Sequence, residues 1–304
     1  MKKSYIGLGG IGGKIVDQLS ANANEKDAEY FNVDWAYENY HNKSSRLKYI
    51  GLEICNSVGE ILDCFSEKKE WFSDSKIARY WIGTNERIVA RLYFETYLKS
   101  HNLVEYIFKN SVDDEFEINI ITTSFGATGS GILWNLILLI KEYFCKNKNA
   151  SHRINIFVIL PEIVENIISV NTQKNWHKIR TYAFLREMYT FWANDDHCAS
   201  IISNMIGDTL PKENKHLIDN ILFYDKKTDN YDEIIKDVAC WIRNTIQSVA
   251  EERTAISKII QTISQEYKTA YDKCICELNA DNQITITPHI DNNWHIALPG
   301  IPSN

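Results

Sequence analysis

Short apolar segments alternate with helical patterns along most of the chain. Residues 3–8 predict a strand that leads into a glycine-rich loop and a helix reaching Leu19. Further strands are predicted at residues 30–35, 46–52, 117–123, 153–160 and 218–225. Parallel strands need a long crossover, which is usually a helix, so this alternation predicts an α/β fold with a doubly wound, mostly parallel sheet.

Helical periodicity fills much of the remaining sequence. It covers residues 57–110, with a turn-like break at 82–85, and it returns at residues 173–192. Residues 194–217 are polar, and we predict an irregular segment there. No internal repeat or low-complexity linker divides these elements.

The C-terminal part of the sequence is predicted to be mainly helical. Residues 231–278 predict one or two long helices, with a break near Glu251. Residues 283–298 alternate in a way that is typical of a small β-hairpin. We therefore expect a long helix followed by a short β tail.

Composition restricts the class of protein. The chain has 304 residues, of which 44% are hydrophobic, and this length is enough for a sizeable core. A net charge of −7 speaks against general nucleic-acid binding, which depends on lysine and arginine. The seven cysteines form no C-x-x-C pair, so we interpret them as reduced thiols. The most apolar run, residues 132–140, is shorter than a membrane-spanning helix requires, and we expect a cytoplasmic protein with no membrane segment.

The first candidate site is the glycine loop after the first predicted strand. Glycines let backbone N–H groups approach an anion, and the following helix N-terminus favours negative charge. The candidate phosphate-binding residues are Gly9, Gly10, Ile11 and Gly12. This loop alone fits a dinucleotide-dependent dehydrogenase, an adenylating enzyme or a nucleotide-binding filament protein equally well. In a dehydrogenase, Asp34 would bind the ribose.

A second glycine loop follows the predicted strand at residues 117–123 and opens a helix to Phe144. A dehydrogenase needs only one such loop, whereas two loops at two strand ends would hold a di- or triphosphate from both sides. The hydroxyls of Thr128 and Ser130 would add hydrogen-bond donors. The candidate residues of this loop are Gly126, Ala127, Thr128, Gly129 and Ser130.

These motifs carry a resemblance to a known family. The sequence Thr-Gly-Ser-Gly at 128–131 resembles the tubulin signature loop, and residues 1–275 resemble the tubulin and FtsZ superfamily in order. Asn32-Val33-Asp34 is similar to the Asn-Thr-Asp loop of the cell-division branch. Leu160-Pro161-Glu162, together with residues 181–187, is most similar to a divergent group of bacterial tubulin-like proteins.

The resemblance implies a Rossmann-like domain at residues 1–250 that binds GTP or GDP, with Mg²⁺ near Asp34. Residues 251–304 would supply the long helix and short hairpin, in place of a full second domain. Gly83, Thr84 and Asn85 resemble the family's third phosphate loop and would close over the γ-phosphate. The resemblance further implies nucleotide contacts from Arg180, Asp225 and Asn230.

The resemblance also suggests how the protein acts. Family members assemble head to tail and complete the hydrolytic site of a neighbouring copy, and Asp281 would position water there. We therefore expect a filament, or docking on another protein of the same system, and slow GTP hydrolysis by the isolated subunit. Asn230 and Asp281 are also typical turn residues, and this interpretation remains open for both.

Three positions depart from the family pattern. Ala127 stands where tubulins have a glycine, so one backbone approach to phosphate is less close. Lys14 replaces a base-contacting asparagine of FtsZ, and Lys226 follows Asp225 where tubulins read guanine with an asparagine. The sequence therefore leaves the base preference undecided.

Overall fold

The structure is a computed structural model. It describes residues 1–21, 28–35, 44–52, 87–109, 115–147, 151–169, 171–193, 195–206, 216–227, 230–245 and 253–280. The strands are β1 Lys2–Leu8, β2 Ala28–Asp34, β3 Leu47–Gly51, β4 Glu115–Thr123, β5 Ser151–Ile159 and β6 Asn220–Tyr224. All of these strands pair in parallel, in the order β3-β2-β1-β4-β5-β6. The predicted α/β fold with a doubly wound parallel sheet is confirmed.

Helices connect and cover the strands. They are α1 Gly9–Ala21, α2 Arg87–Ser100, α3 Leu103–Phe108, α4 Ala127–Lys146, α5 Glu162–Glu165, α6 Asn171–Ala193, α7 Asp195–Ile206, α8 Tyr231–Thr245 and α9 Arg253–Ala280. The C-terminal helical region is thus two helices, as one of the two sequence alternatives predicts. The predicted hairpin at 283–298 lies outside the described residues.

One predicted segment is wrong. Residues 195–206 form α7 instead of an irregular loop. Cys198, Ile201 and Ile202 are buried, and their spacing of three and four residues places them on one face of a helix. The polar residues between them occupy the other positions of the helix, which is why the segment reads as polar overall.

The sheet is buried on both faces. Helices α1 and α8 pack on one face through residues such as Val16 and Val238, whereas α2, α4, α6, α7 and α9 pack on the other. In β4, Ile118, Ile120 and Ile121 are all fully buried, because both of its faces are covered by helices. None of the described helices combines the length and apolar character needed to cross a membrane.

The topology brings the two glycine loops together. Strands β1 and β4 are neighbours, and each leads directly into a helix at its carboxyl end. From β1 the chain continues to β2 on one side, whereas from β4 it continues to β5 on the other. In open parallel sheets, ligands bind in the crevice where the strand order reverses in this way.

Candidate functional site

The first glycine loop lies directly against the second. Gly9 begins α1 with a φ of 74°, a left-handed conformation that favours glycine. A Cβ built on Gly9 would lie 3.3 Å from Thr128 Cβ and 3.4 Å from the backbone nitrogen of Gly129. The first turns of α1 and α4 therefore meet at one point of the sheet edge.

Close packing at Gly129 holds the second loop in place. A Cβ on this residue would come within 2.9 Å of the Leu8 carbonyl oxygen and 2.4 Å of Thr122 Oγ1, so glycine lets α4 approach β1. Gly126 caps the start of α4, and its backbone nitrogen donates to Thr123 Oγ1 at 3.1 Å. The second loop is thus fixed by contacts with β4, which precedes it, and with the end of β1.

The meeting point of α1 and α4 favours an anion. The first N–H groups of a helix have no partner within the helix and carry partial positive charge. Neither α1 nor α4 has an acidic residue in its first turn. Gly10 is exposed, and Ile11 and Thr128 are partly exposed, so this surface is accessible to a ligand.

Asp34 lies beside both loops at the end of β2. Its Oδ1 accepts a hydrogen bond from the backbone nitrogen of Trp35 at 2.8 Å, and the Thr128 side chain lies near the carboxyl group. Its Oδ2 would lie 3.8 Å from a Cβ on Gly10. Burial raises the pKa of the Asp34 carboxyl, although the hydrogen bond from Trp35 and the Thr128 side chain oppose this effect.

The environment of Asp34 fits a divalent cation. A partly buried carboxylate lacks the solvation that it has in water, and a cation would compensate for this loss. The Asp34 carboxylate and the Thr128 hydroxyl are the hard oxygen donors that Mg²⁺ prefers. These two residues are therefore the candidates for holding Mg²⁺ next to a phosphate group.

The hydroxyl of Ser130 has a different partner from the one that the sequence suggests. It donates a hydrogen bond to the Gly126 carbonyl oxygen, and the residue is fully buried. A serine within a helix commonly forms this bond to the carbonyl four residues earlier. In this structure the hydroxyl is therefore used within α4, and Thr128 is the residue that presents its hydroxyl at the site.

Helix α6 packs against the second loop. The hydroxyl of Thr181 lies 2.9 Å from that of Ser124, and the His177 ring lies 4.8 Å from the ring of Phe125. Arg180 is partly exposed in the same segment of α6. Burial lowers the pKa of His177, and the positive charge of Arg180 lowers it further. This segment adds positive charge to the sheet edge that carries the loops.

The residues predicted near the base follow β6. Asp225 and Asn230 are both exposed. Asn230 Oδ1 accepts a hydrogen bond from the backbone nitrogen of Asp232 at 3.1 Å, at the beginning of α8. This bond is typical of a helix cap, which agrees with the interpretation of Asn230 as a turn residue. Lys14 on α1 lies with its Nζ 4.7 Å from the centre of the Tyr231 ring and links the two helices.

Four of the predicted site residues lie outside the described residues. They are Gly83, Thr84 and Asn85 of the third loop, and Asp281. Arg87, two residues after the predicted loop, contacts the start of α4 behind the second glycine loop. Its guanidinium group donates to the Ser130 carbonyl oxygen at 3.0 Å. Sequence reasoning missed this residue, because no local pattern indicates a contact across 43 positions.

The sequence matches no family model and no curated protein. Among solved structures it is similar to TubZ of the Clostridium botulinum phage c-st, with 17% identity and a TM-score of 0.43, over 80% of this chain and 60% of that one. The similarity to GDP-bound CetZ1 from Haloferax volcanii has 17% identity and a TM-score of 0.44, over 87% of this chain and 64% of that one. For the GTPγS-bound protofilament of CetZ2 from Haloferax volcanii, the identity is 12% and the TM-score 0.42, over 88% of this chain and 59% of that one.

These three are tubulin and FtsZ family proteins, the family that the sequence motifs resemble. The chain spans between 59% and 64% of their length. At identities of 12–17%, the similarity concerns the fold. The similarity by itself therefore assigns no function to this chain.

Proposed function

We propose that this chain is a tubulin-like protein that binds a nucleoside di- or triphosphate at the meeting point of its two glycine loops. The observation that carries the proposal is the contact of Gly9 with Thr128 and Gly129. It supports a single anion site formed by two helix N-termini, which suits the several negative charges of a polyphosphate.

The proposed phosphate ligands are backbone amides. Those of Gly9, Gly10 and Gly12 would bind from α1, and those of Ala127, Thr128 and Gly129 from α4. Asp34 and Thr128 would hold Mg²⁺, which neutralises phosphate charge when it is bound. Gly83, Thr84 and Asn85 would contact the terminal phosphate, as the family resemblance implies.

We propose GTP as the first candidate ligand. The resemblance to the tubulin superfamily supports this choice, and two of the similar solved structures are bound to GTPγS or GDP. Arg180, Asp225 and Asn230 remain the proposed contacts to the rest of the nucleotide. The lysines at positions 14 and 226 depart from the family pattern, so the base preference has to be measured.

Assembly is a further part of the proposal. The nucleotide would lie at one end of the molecule, where a second copy could cover it in a head-to-tail contact that extends into a filament. Hydrolysis would then need a group from the neighbouring copy, for which Asp281 is our candidate, and would be slow in the isolated subunit.

A second candidate function is a dinucleotide-dependent oxidoreductase or an adenylating enzyme. The strand order β3-β2-β1-β4-β5-β6 is that of many dinucleotide-binding domains, and Asp34 ends β2 where such domains place a ribose-binding acid. In this function only the first glycine loop would bind phosphate. The position of Asp34 beside both loops favours the two-loop site, because its carboxyl group lies close to Gly10 and the Thr128 side chain of the second loop lowers its pKa.

A panel of ligands distinguishes these functions. We expect GTP with Mg²⁺ to stabilise the protein against thermal unfolding, because a ligand at 100 times its Kd adds about 2.7 kcal/mol. ATP, NAD, NADP and tripolyphosphate, each with and without Mg²⁺, complete the panel. Stabilisation by NAD or NADP alone would support the second candidate, and no stabilisation by any nucleotide would exclude both.

A pair of threonine variants tests the site itself. Thr128→Val removes the hydroxyl that lies near Asp34 at the start of α4, and we expect it to weaken the stabilisation by GTP and Mg²⁺. Thr96→Val removes a hydroxyl that donates to the Leu92 carbonyl within α2, and it should leave ligand stabilisation unchanged. Equal stabilisation of both variants would show that the ligand does not bind at Thr128.

A further inference from the structure

A polar network lies behind the second glycine loop, on the side away from the proposed ligand. Arg87 is the first residue of α2, and one of its guanidinium nitrogens donates both to the Ser130 carbonyl oxygen, at 3.0 Å, and to Glu187 Oε2. The same Glu187 oxygen accepts a hydrogen bond from Trp134 Nε1 at 3.2 Å. Three helices, α2, α4 and α6, therefore meet at this network.

The network is largely buried. The side chains of Arg87 and Glu187 are 18% and 21% exposed, and the guanidinium group lies 6.0 Å from the centre of the Phe184 ring. Removing an ion pair from water is costly, and apolar residues often hold helices together as well or better. The presence of this largely buried pair therefore needs an explanation other than stability.

Two of its contacts hold the first turns of α4. Besides the hydrogen bond to Ser130, the backbone of Arg87 lies against Gly131, where a Cβ would come within 2.5 Å of the Arg87 carbonyl oxygen. The carbonyl of Ser130 belongs to the same helical turn as the amides of Ala127, Thr128 and Gly129. A donor that holds this carbonyl also fixes the direction of those amides.

We infer that Arg87 is a positioning residue for the second glycine loop. It holds the first turn of α4 so that its amides face the phosphates, and Glu187 orients the guanidinium group and balances its charge. This role rests on the proposed function, because it concerns the affinity for a polyphosphate. It predicts that Arg87 affects phosphate binding without touching the ligand.

The test is calorimetric measurement of Kd for GDP and for tripolyphosphate, which lacks a base. We expect Arg87→Met to raise both Kd values about tenfold, the size of one lost charge-assisted hydrogen bond. Arg87→Lys should recover most of the affinity, because a lysine still reaches one of the two acceptors. Glu187→Gln should lie between Arg87→Met and the wild type. The Kd for guanosine, which has no phosphate, should not change.

Arg243 provides the matched control. Its guanidinium group also donates to helix carbonyls, those of Gln18 at 3.2 Å and Leu19 at 3.1 Å, but at the end of α1 that is far from the glycine loop. We expect Arg243→Met to lower thermal stability and to leave both Kd values unchanged. If Arg87→Met does not fold, Arg87→Lys and Glu187→Gln provide the comparison.

The outcomes separate this role from the proposed function. If the wild-type protein binds neither GDP nor tripolyphosphate, the proposed function is wrong and this role falls with it. If the wild type binds and the Arg87 variants bind equally well, this role alone is wrong. An equal loss of affinity in the Arg87 and Arg243 variants would also overturn it, since it would indicate a general effect on stability.

Discussion

Asp34 illustrates how a single residue connects the fold to the proposed ligand. The fold places its carboxyl group beside Gly10 and Thr128 and removes it partly from water. Burial raises the pKa of this carboxyl group, which means that its charged form is less favourable in the folded protein than in the unfolded chain. The charge of Asp34 therefore lowers the stability of the protein without a ligand, and a bound cation would compensate for this effect.

The unfavourable charge of Asp34 in the folded protein leads to a prediction for Asp34→Asn. Without a ligand at pH 7, the variant should have a free energy of unfolding roughly 0.5–2 kcal/mol above that of the wild type, the usual range for a stabilising substitution. Because the pKa is raised on folding, the wild type gains stability as the pH falls, and the difference should shrink towards about pH 4. Urea unfolding between pH 4 and pH 8 measures this. The variant should also lose the effect of Mg²⁺ on nucleotide affinity.

Asp237→Asn is the control for this experiment. This aspartate is exposed and paired with Lys226 at 2.7 Å, so its replacement should change stability little and should not affect the ligand. A lower stability of Asp34→Asn than of the wild type at pH 7 would show that the Asp34 charge already has a favourable partner in the free protein.

At the same scale, the sequence predicts the local part of the site and misses the distant part. The contact between the first loop and Thr128 follows from two strand-loop-helix patterns and a parallel sheet. The bond from Ser130 to Gly126 depends on a side-chain rotamer, which the motif does not specify. The partners of Arg87 lie 43 and 100 positions away, and their contacts depend on how three helices pack.

At the scale of elements, the strands were predictable because they are continuous apolar runs. This pattern arises when helices cover both faces of a parallel sheet, as they do for β4 and β5. The error at α7 has the opposite cause, since buried residues of that helix alternate with exposed polar ones and form no continuous apolar run. Periodicity at Cys198, Ile201 and Ile202 was the signal that could have identified it.

A buried polar ladder crosses three strands and provides a prediction at this scale. Asn220 Nδ2 donates to Asn155 Oδ1 at 2.7 Å, Asn155 Nδ2 donates to Asn119 Oδ1 at 2.9 Å, and Asn119 Nδ2 donates to Glu117 Oε1 at 3.1 Å. The three asparagines are register partners on neighbouring strands. A shift of one strand by a single residue would break these bonds, so the ladder helps to set the register.

We predict that Asn155→Ala is destabilising. It removes two hydrogen bonds and leaves polar atoms of Asn119 and Asn220 without these partners, which should lower the free energy of unfolding by about 1–3 kcal/mol. Asn147→Ala is the control, because Asn147 is exposed and donates only to the Tyr143 carbonyl at the end of α4. Urea unfolding measures both variants. Equal effects would show that the ladder contributes no more than an exposed cap.

At the scale of the whole molecule, the proposed site lies at one end of the sheet. The glycine loops lie at the carboxyl edge of the sheet, and α4 and α2 run from there towards the opposite edge. Two large apolar side chains are exposed near the site. Trp176 is 46% exposed, and it precedes His177, which contacts the second loop. Ile167 follows α5 and is 41% exposed. Trp176, the larger of the two, is therefore the residue we test as part of a contact surface.

If a second copy covers this end, Trp176 should contribute to assembly more than to nucleotide binding. We predict that Trp176→Asp raises the critical concentration for GTP-dependent assembly about tenfold or more, since buried tryptophans are frequent hot spots of interfaces. Light scattering and sedimentation measure assembly. Calorimetry should show that the Trp176→Asp variant binds GTP with the same Kd as the wild type. Ile259→Asp is the control, because Ile259 is 39% exposed on α9, away from the glycine loops. If the Trp176 variant assembles at the critical concentration of the wild type, this end is not the contact. If the wild type does not assemble at high concentration with GTP, the filament itself is excluded.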